Sequence, residues 1–429
     1  MSTPQQYNAL KGVEDILPPD VYLWQKVENT AREVFSLYGF QEIRLPIIEA
    51  TGLFVRSIGE TSDIVEKEMY TFPDKAGRSI TLRPEGTASV VRAYIEHHLY
   101  NWPSPQKFFY SGPMFRYERP QKGRFRQFHQ IGVEAFGAAS PLLDAEILSM
   151  LKILLEKLGL EELNFQINSI GCGDCRPAFR KALHDFFSDK LDSLCPDCKR
   201  RYEFNPLRIL DCKVDRCIEL RRDTPVISDL LCAECGGHFG KVLSSLAALG
   251  ISHTVDPNMV RGLDYYTRTT FEVTSEHLGS QKAVAAGGRY DRLVEDFGGP
   301  STPGMGFALG MERLTELLKE KRCTTASFPD VYVAPIGERA IMEGFLMAEM
   351  LRARGLRVET GYEGTSLRSQ LRKANRLSSR FVIILGDEEL DSGRIKWKNL
   401  QESSQGDVEI LKAGDFIASL AQGEPRQKP

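Results

Sequence analysis

A chain of 429 residues, 42% hydrophobic and 26% charged, is too long for one ordinary core and implies two or three domains of roughly 100–200 residues. Its 55 basic and 58 acidic side chains give a net charge of −3, which excludes a globally basic nucleic-acid binder but not a local basic face. The longest apolar runs, such as FVIIL at 381–385, are too short to span a bilayer, and the N-terminus lacks the basic-then-apolar order of a secretory signal, so a cytoplasmic protein with no membrane partner is expected.

In chain order, Asp20 can cap a helix whose apolar residues Val21, Trp24, Val27, Ala31, Val34, Phe35 and Tyr38 recur at helical spacing, with Gly39 as its stop. FQEIRLPII (40–48) alternates and predicts a strand; Pro46 suits an edge or interface because it has no amide to donate. MYTF (69–72) and SITLR (79–83) flank PDKAG and predict a hairpin, and residues 86–98 predict a helix. KFFY (107–110), MFRYE (114–118) and QFHQIGVEAFG (127–137) predict strands, with RPQKGR as a charged hairpin loop. Residues 141–158 predict a helix and LNFQINSI (163–170) a strand. A cysteine-rich stretch from about 171 to 250 interrupts this alternation. TTFEVTSE (269–276), AVAAGG (283–288) and GMGFALG (304–310) then predict strands, the last running into a helix at Met311. Strands with irregularly interspersed helices predict an α+β domain on an antiparallel sheet. From about 329, VYVAPI, a helix at 338–354, RVET, a helix at 366–377, FVIILG and RIKWKNL give βαβαβ order, a separate α/β domain after the linker KEKRCTTASFPD (319–330).

Four segments carry chemistry. In FRYERPQKGRFRQFHQIGVEAFG (115–137), Arg116 and Glu118 fall at i and i+2 of an expected strand and so share a face. A guanidinium held there can clamp a phosphate, and the loop with Lys122, Arg124 and Arg126 can close over polyphosphate or reach a nucleic-acid end. Gln130 and Glu134 also share parity; the plainer reading of the segment is a solvated charged hairpin. In TLRPEGTAS (81–89), Glu85 follows a strand and Gly86-Thr87 open a helix, so the carboxylate can receive a substrate ammonium or merely cap the helix. In RGLDYYTRTTFE (261–272), Arg261, Tyr265 and Tyr266 stand at a strand entrance, and AAGGRYD (285–291) allows close backbone approach at Gly287-Gly288. GMGFALGMERL (304–314) feeds a glycine-spaced strand into a helix bearing Glu312 and Arg313; it is no dinucleotide fingerprint, because its glycines lie within the strand rather than after it.

On these segments the chain resembles the histidyl-tRNA synthetase family of class II aminoacyl-tRNA synthetases, from about Leu10 to its end. Pro46 matches the motif 1 proline, FRYE the motif 2 arginine and GMERL the motif 3 arginine, while LRPEGT, RGLDYY and AAGGRYD are similar to the family's own signatures. The resemblance implies a class II antiparallel-sheet catalytic domain over 1–170 and 251–325, a helical cysteine-rich insertion over 171–250, and a C-terminal α/β anticodon-binding domain over 329–429. It implies activation of L-histidine by ATP with Mg2+ and transfer to the 3′ end of tRNA(His), by a cytoplasmic homodimer with motif 1 at the interface. It also implies that Arg116 and Arg261 contact the α-phosphate from opposite sides as the catalytic groups. Glu118 and Arg313 are then further ATP contacts, with Arg313 on the γ-phosphate. Glu85, Gly86, Thr87 and Gln130 would receive the α-amino end of histidine; Glu134 and Tyr266 would read the imidazole, with Tyr265 beside them. The alternative is the non-catalytic, histidine-sensing regulatory subunit of ATP phosphoribosyltransferase, a paralogue that typically lacks the C-terminal domain kept here. In that domain Arg368, Arg372 and Arg376 recur on one helical face with Lys373 and Arg380 nearby, a stripe that can track an RNA backbone or simply be solvated.

Eight of the nine cysteines form the pairs Cys172/Cys175, Cys195/Cys198, Cys212/Cys217 and Cys232/Cys235, and Cys323 stands alone. In a reducing compartment ligands or free thiols are expected over disulfides. The spacing of the first two pairs suits zinc, and eight thiolates would fill two tetrahedral structural sites, but four pairs combine in three ways and the sequence does not choose among them.

Overall fold

The computed structural model describes residues 7–59, 62, 64–121, 123–278, 282–321, 328–402 and 404–423. Two compact units result, Met1–Thr325 and Ala326–Pro429. Lys122, Cys323 and residues 322–327 of the expected linker lie outside the described residues.

In the first unit, helix α1 (Asp20–Leu37) buries Leu23, Trp24, Val27, Ala31, Val34 and Phe35, close to the expected stripe. Asp20 does not cap it: Pro19 holds the capping position, and the Asp20 carboxylate accepts from Lys319 at 2.7 Å. The expected strand 40–48 is two short pieces, β1 (Gln41–Glu42) and β2 (Ile48–Ala50), in different sheets. Between them the carbonyls of Leu45 and Pro46 accept from the buried Arg83 guanidinium at 3.1 and 3.3 Å, so they are not available to a ladder. Helix α2 (Thr51–Ile58) precedes the hairpin β3 (Tyr70–Pro73) and β4 (Ser79–Leu82), which joins β2 in a small antiparallel sheet.

Helix α3 (Thr87–Glu96) leads to β5 (Gln106–Phe115), which merges KFFY with the start of MFRYE and pairs antiparallel with β6 (Gln127–Phe136). Arg116 and Glu118 are therefore not on a strand. The ladder ends because the Tyr117 amide donates to the Glu68 carbonyl at 2.6 Å instead of to β6. Helix α4 (Pro141–Lys157), capped by the Ser140 hydroxyl, precedes β7 (Asn164–Ser169). The cysteine-rich stretch carries α5 (Cys175–Phe187), α6 (Pro196–Phe204), α7 (Asp215–Leu220) and α8 (Ala233–Ala248). Then come β8 (Thr254–Val255), β9 (Thr267–Thr274), β10 (Ala283–Arg289), α9 (Leu293–Asp296), β11 (Gly304–Gly310) and α10 (Met311–Glu320).

The main sheet runs β1-β5-β6-β11-β10-β9-β7-β8, antiparallel except where the edge strands β1 and β8 pair with β5 and β7. Strand parity divides its faces. Ile131, Val133, Phe271, Val273, Met305, Phe307 and Leu309 point into the core shared with α1, α4, α8 and α10. Gln130, Glu134, Glu272, Thr274, Gly306 and Ala308 face a cavity on the other side.

The second unit contains β12 (Val331–Pro335), α11 (Glu338–Ala353), β13 (Val358–Thr360), α12 (Leu367–Arg376), β14 (Phe381–Leu385), α13 (Asp387–Ser392), β15 (Arg394–Asn399), β16 (Gln405–Glu409) and α14 (Ile410–Gly423). Its sheet order is β13-β12-β14-β15-β16, parallel across the first three strands and antiparallel across the last three. On α12, Gln370 and Ala374 are buried while Arg368, Arg372, Lys373 and Arg376 are exposed. Arg380 leaves that stripe: it is buried, donates to the Ala421 carbonyl at 3.2 Å and lies over the Phe381 ring.

Candidate active site

The cavity on the open face of the main sheet has a volume of about 630 Å³, within the roughly 300–1,000 Å³ typical of small-molecule pockets. All the expected histidine and ATP residues line it except Gly86. Gly86 stands before α3 and packs on the Tyr110 ring, where a Cβ would have no room.

One end is built around Glu134, which is 1% exposed. The Thr87 hydroxyl donates to its Oε1 at 2.6 Å and the Tyr290 phenol to its Oε2. Burial outweighs those two donors and pushes the carboxyl up to about 8. Gly306 pairs with Glu134 across β6 and β11, and a Cβ on residue 306 would fall on the carboxylate. Glu85 accepts from the amides of Thr87 and Ala88 at 2.6 and 2.9 Å, so it does cap α3; it also lines the cavity, and burial raises its pKa. Burial, reinforced by Glu134, keeps the Tyr110 and Tyr290 phenols well above their ordinary pKa, so both remain protonated. The Gln130 Oε1 atom is buried and has no partner among the described residues. Such an acceptor costs about 1–3 kcal/mol until a donor arrives.

The other end is cationic. Arg116 donates through Nε to the Pro84 carbonyl at 2.9 Å and lies over the Phe128 ring, and burial lowers its pKa. Arg313 is held by the carbonyls of Gly123 and Ala283 at 3.2 and 2.9 Å. Burial, then the charges of Arg124 and Arg116, push its pKa down. Arg261 pairs with Glu272, and its buried Nε has no partner among the described residues. Glu118 is taken by Arg124, which also approaches Glu68 at 3.6 Å. Crowded guanidiniums with donor capacity left are built to meet an anion.

Among the lining residues that the sequence reading did not single out are Tyr290, Glu272, Asp211 and Lys213. Tyr290 lies in AAGGRYD, and Glu272 could have been found from parity, since its neighbours Phe271 and Val273 point inward. Asp211 and Lys213 come from the cysteine-rich stretch and carried no signal. Arg289, also in AAGGRYD, is structural: fully buried, it donates to Asp144 at 2.7 Å, and Asp144 in turn bonds His238 at 2.8 Å, tying β10 to α4 and α8. The cysteines gather as Cys172, Cys175, Cys232 and Cys235, and as Cys195, Cys198, Cys212 and Cys217, with the sulfurs of each group within 4.8 Å of one another.

A half-buried arginine just past β5, an arginine on the helix after β11 and a glycine-spaced strand between them, all on an antiparallel sheet, define the catalytic core of a class II aminoacyl-tRNA synthetase. Residues 12–173 and 233–314 match the family described as histidyl-tRNA synthetase, and residues 330–420 match the anticodon binding domain. The histidine–tRNA ligase of Thermodesulfovibrio yellowstonii is 56% identical over 412 residues, 96% of this chain and 98% of that protein. That of Trichlorobacter lovleyi is 53% identical over 415 residues, covering 97% and 98%. The crystal structure of apo S. aureus histidyl-tRNA synthetase superposes with a TM-score of 0.82 at 37% identity, covering 96% of this chain and 100% of that one. The chain belongs to the histidyl-tRNA synthetase family. The family match omits 174–232, which holds six of the eight clustered cysteines.

Proposed function

We propose that the cavity activates L-histidine with ATP to histidyl-adenylate and passes the histidyl group to the 3′ end of tRNA(His). The observation that carries this is one cavity with a buried, doubly hydrogen-bonded Glu134 at one end and four arginines, Arg116, Arg124, Arg261 and Arg313, at the other. The histidine ring donates to Glu134 and meets Tyr266 on its second nitrogen, with Tyr265 beside it. Glu85, Thr87 and the unfilled Gln130 Oε1 receive the α-ammonium. Arg116 and Arg261 hold the α-phosphate as the histidine carboxylate attacks it and pyrophosphate leaves. Arg313 holds the γ-phosphate, and Glu118 positions Arg124 over the nucleotide. No protein nucleophile is required, since positioning and charge stabilisation carry both steps. Mg2+ carried on the phosphates would, as a hard cation that prefers oxygen ligands, find its protein carboxylates in Glu118 and Glu272, which here pair with Arg124 and Arg261, and would supply charge neutralisation for the leaving pyrophosphate.

The same reading assigns 1–170 and 251–325 to catalysis, 171–250 to an insertion and 329–429 to anticodon binding. The exposed Arg368, Arg372 and Arg376 then meet RNA phosphates. Exposed Leu37, Ile47 and Ile48 around motif 1 support a homodimer with that face covered. Among the described residues no helix is long and apolar enough to cross a membrane, in keeping with work on tRNA in the cytoplasm. Histidine-dependent ATP–pyrophosphate exchange, followed by charging of tRNA(His), tests the assignment. Histidine binding without exchange would overturn it in favour of a sensor.

A further inference from the structure

We infer that residues 172–235 hold two tetrahedral zinc–thiolate sites, paired first with fourth and second with third, and that the second site fixes part of the catalytic cavity's wall. The metal sites stand on their own geometry; the coupling rests on the functional reading above.

Zinc–sulfur bonds of about 2.3 Å place the four sulfurs of a regular tetrahedron about 3.8 Å apart. The Cys172 and Cys175 sulfurs are 3.7 Å apart, and those of Cys195 and Cys212 are 3.8 Å apart. A disulfide would need about 2.05 Å, and all eight are free thiols. Backbone amides aim at the sulfurs, as they do where thiolate charge needs support: Cys232 donates to Cys175 at 3.2 Å, Cys195 to Cys217 at 3.4 Å and Cys235 to Cys232 at 3.4 Å. Soft thiolates in tetrahedral fours select zinc or iron, and a structural role without electron transfer favours zinc. The segment also needs a cross-link. Helices α6 and α7 have nine and six residues, below the roughly 12–15 at which an isolated helix becomes marginal in water.

The second site reaches the cavity through covalent neighbours. Cys212 lies between Asp211 and Lys213, both of which line the cavity. The turn before it carries Asn205 and Arg208, which donate to the Asp264 carboxylate at 3.3 and 2.9 Å. Asp264 directly precedes Tyr265 and Tyr266. Cys198, Cys212 and Cys217 share one apolar cluster with Tyr265, Tyr266 and Tyr290. Releasing the metal frees both Asp211–Lys213 and the Arg208 anchor, so the tyrosines beside the histidine lose their backing.

The test begins with elemental analysis of full-length protein purified without chelator. Two zinc per chain are expected. Cys172→Ser with Cys235→Ser should leave one zinc, because both residues belong to one site, whereas Cys172→Ser with Cys212→Ser should leave none. Zinc-free protein, one zinc, iron instead of zinc, or the reverse pattern in the double variants overturns the two-site pairing. For the coupling, Arg208→Gln should keep two zinc and raise the KM for histidine in pyrophosphate exchange about tenfold, a size that a small misplacement of a binding wall produces. An unchanged KM in Arg208→Gln, and in wild type after mercurial extraction of its zinc, overturns the coupling. Two zinc without any histidine-dependent exchange sinks the functional reading and the coupling with it, and leaves the metal sites standing.

Discussion

The two ends of the cavity solve recognition in opposite ways. At the histidine end two carboxylates are buried, and one of them, Glu134, is held by two donors and pushed up to about 8. At the phosphate end Arg116, Arg124 and Arg313 are gathered so closely that their charges oppose one another. The first end is preorganised around Glu134 with one acceptor, Gln130 Oε1, still unfilled, and it selects by leaving polar groups unpaired with anything but the right ligand. The second is electrostatically incomplete, and the polyphosphate relieves it. Both are consequences of sheet register. Gly306 opposite Glu134 makes room for the carboxylate, and the end of the β5 ladder at Phe115 releases Arg116 toward the cavity.

The most severe break of this contrast is Arg261→Ala. Removing a cation from the reacting phosphate should lower the exchange rate about 10²–10³-fold, while histidine still raises the thermal midpoint; loss below about tenfold would mean the phosphate end is misassigned. Gly306→Ala should come next, at about 100-fold, because the new methyl displaces Glu134. Its loss should fall on histidine, and because the methyl also meets the Val133 carbonyl the thermal midpoint should drop as well. Tyr290→Phe removes one of the two donors to Glu134 and should raise the histidine KM about tenfold.

Acidity sharpens the same contrast. A histidine ring that donates to Glu134 needs the carboxylate ionised. The histidine KM should therefore fall as pH rises toward about 8, by up to about tenfold per unit. Tyr290→Phe should move that limb to higher pH, since the phenol lowers the carboxyl's pKa. Stability runs the other way. The folded pKa is raised above the ordinary 4.5, so this contribution is fully present below about 4.5 and is lost as pH rises through about 8. Melting wild type and Glu134→Gln between those limits checks the sign: wild type should lose stability relative to the variant. The smallest effect lies outside the catalytic unit. Replacing Arg368, Arg372 and Arg376 together with glutamine should raise the KM for tRNA several-fold and steepen nothing in pyrophosphate exchange.

The sequence made one end of this cavity easier to read than its surroundings. Glu134 and Gln130 fall on a regular strand, so parity put them on one face correctly. Arg116 was reached through its motif although the strand expected to carry it stops one residue earlier, because the amide that ends the ladder is satisfied by Glu68, distant in sequence. Strand 40–48 failed for a similar reason: the buried Arg83 claims the carbonyls around Pro46, and alternation cannot reveal that. Glu85 showed both readings at once, capping a helix and facing the cavity. The cysteine pairing and the cavity contacts of Asp211 and Lys213 were beyond local pattern, since each joins segments that only the folded chain brings together.

The division of labour is tested most directly by measuring the KM for histidine and for ATP in pyrophosphate exchange, in Glu134→Gln and in Arg313→Gln. Glu134→Gln should raise the histidine KM more than about tenfold and leave that for ATP within about twofold, and Arg313→Gln should do the reverse. Equal shifts of both constants in either variant, or an ATP effect from Glu134→Gln alone, would contradict the assignment of the two ends.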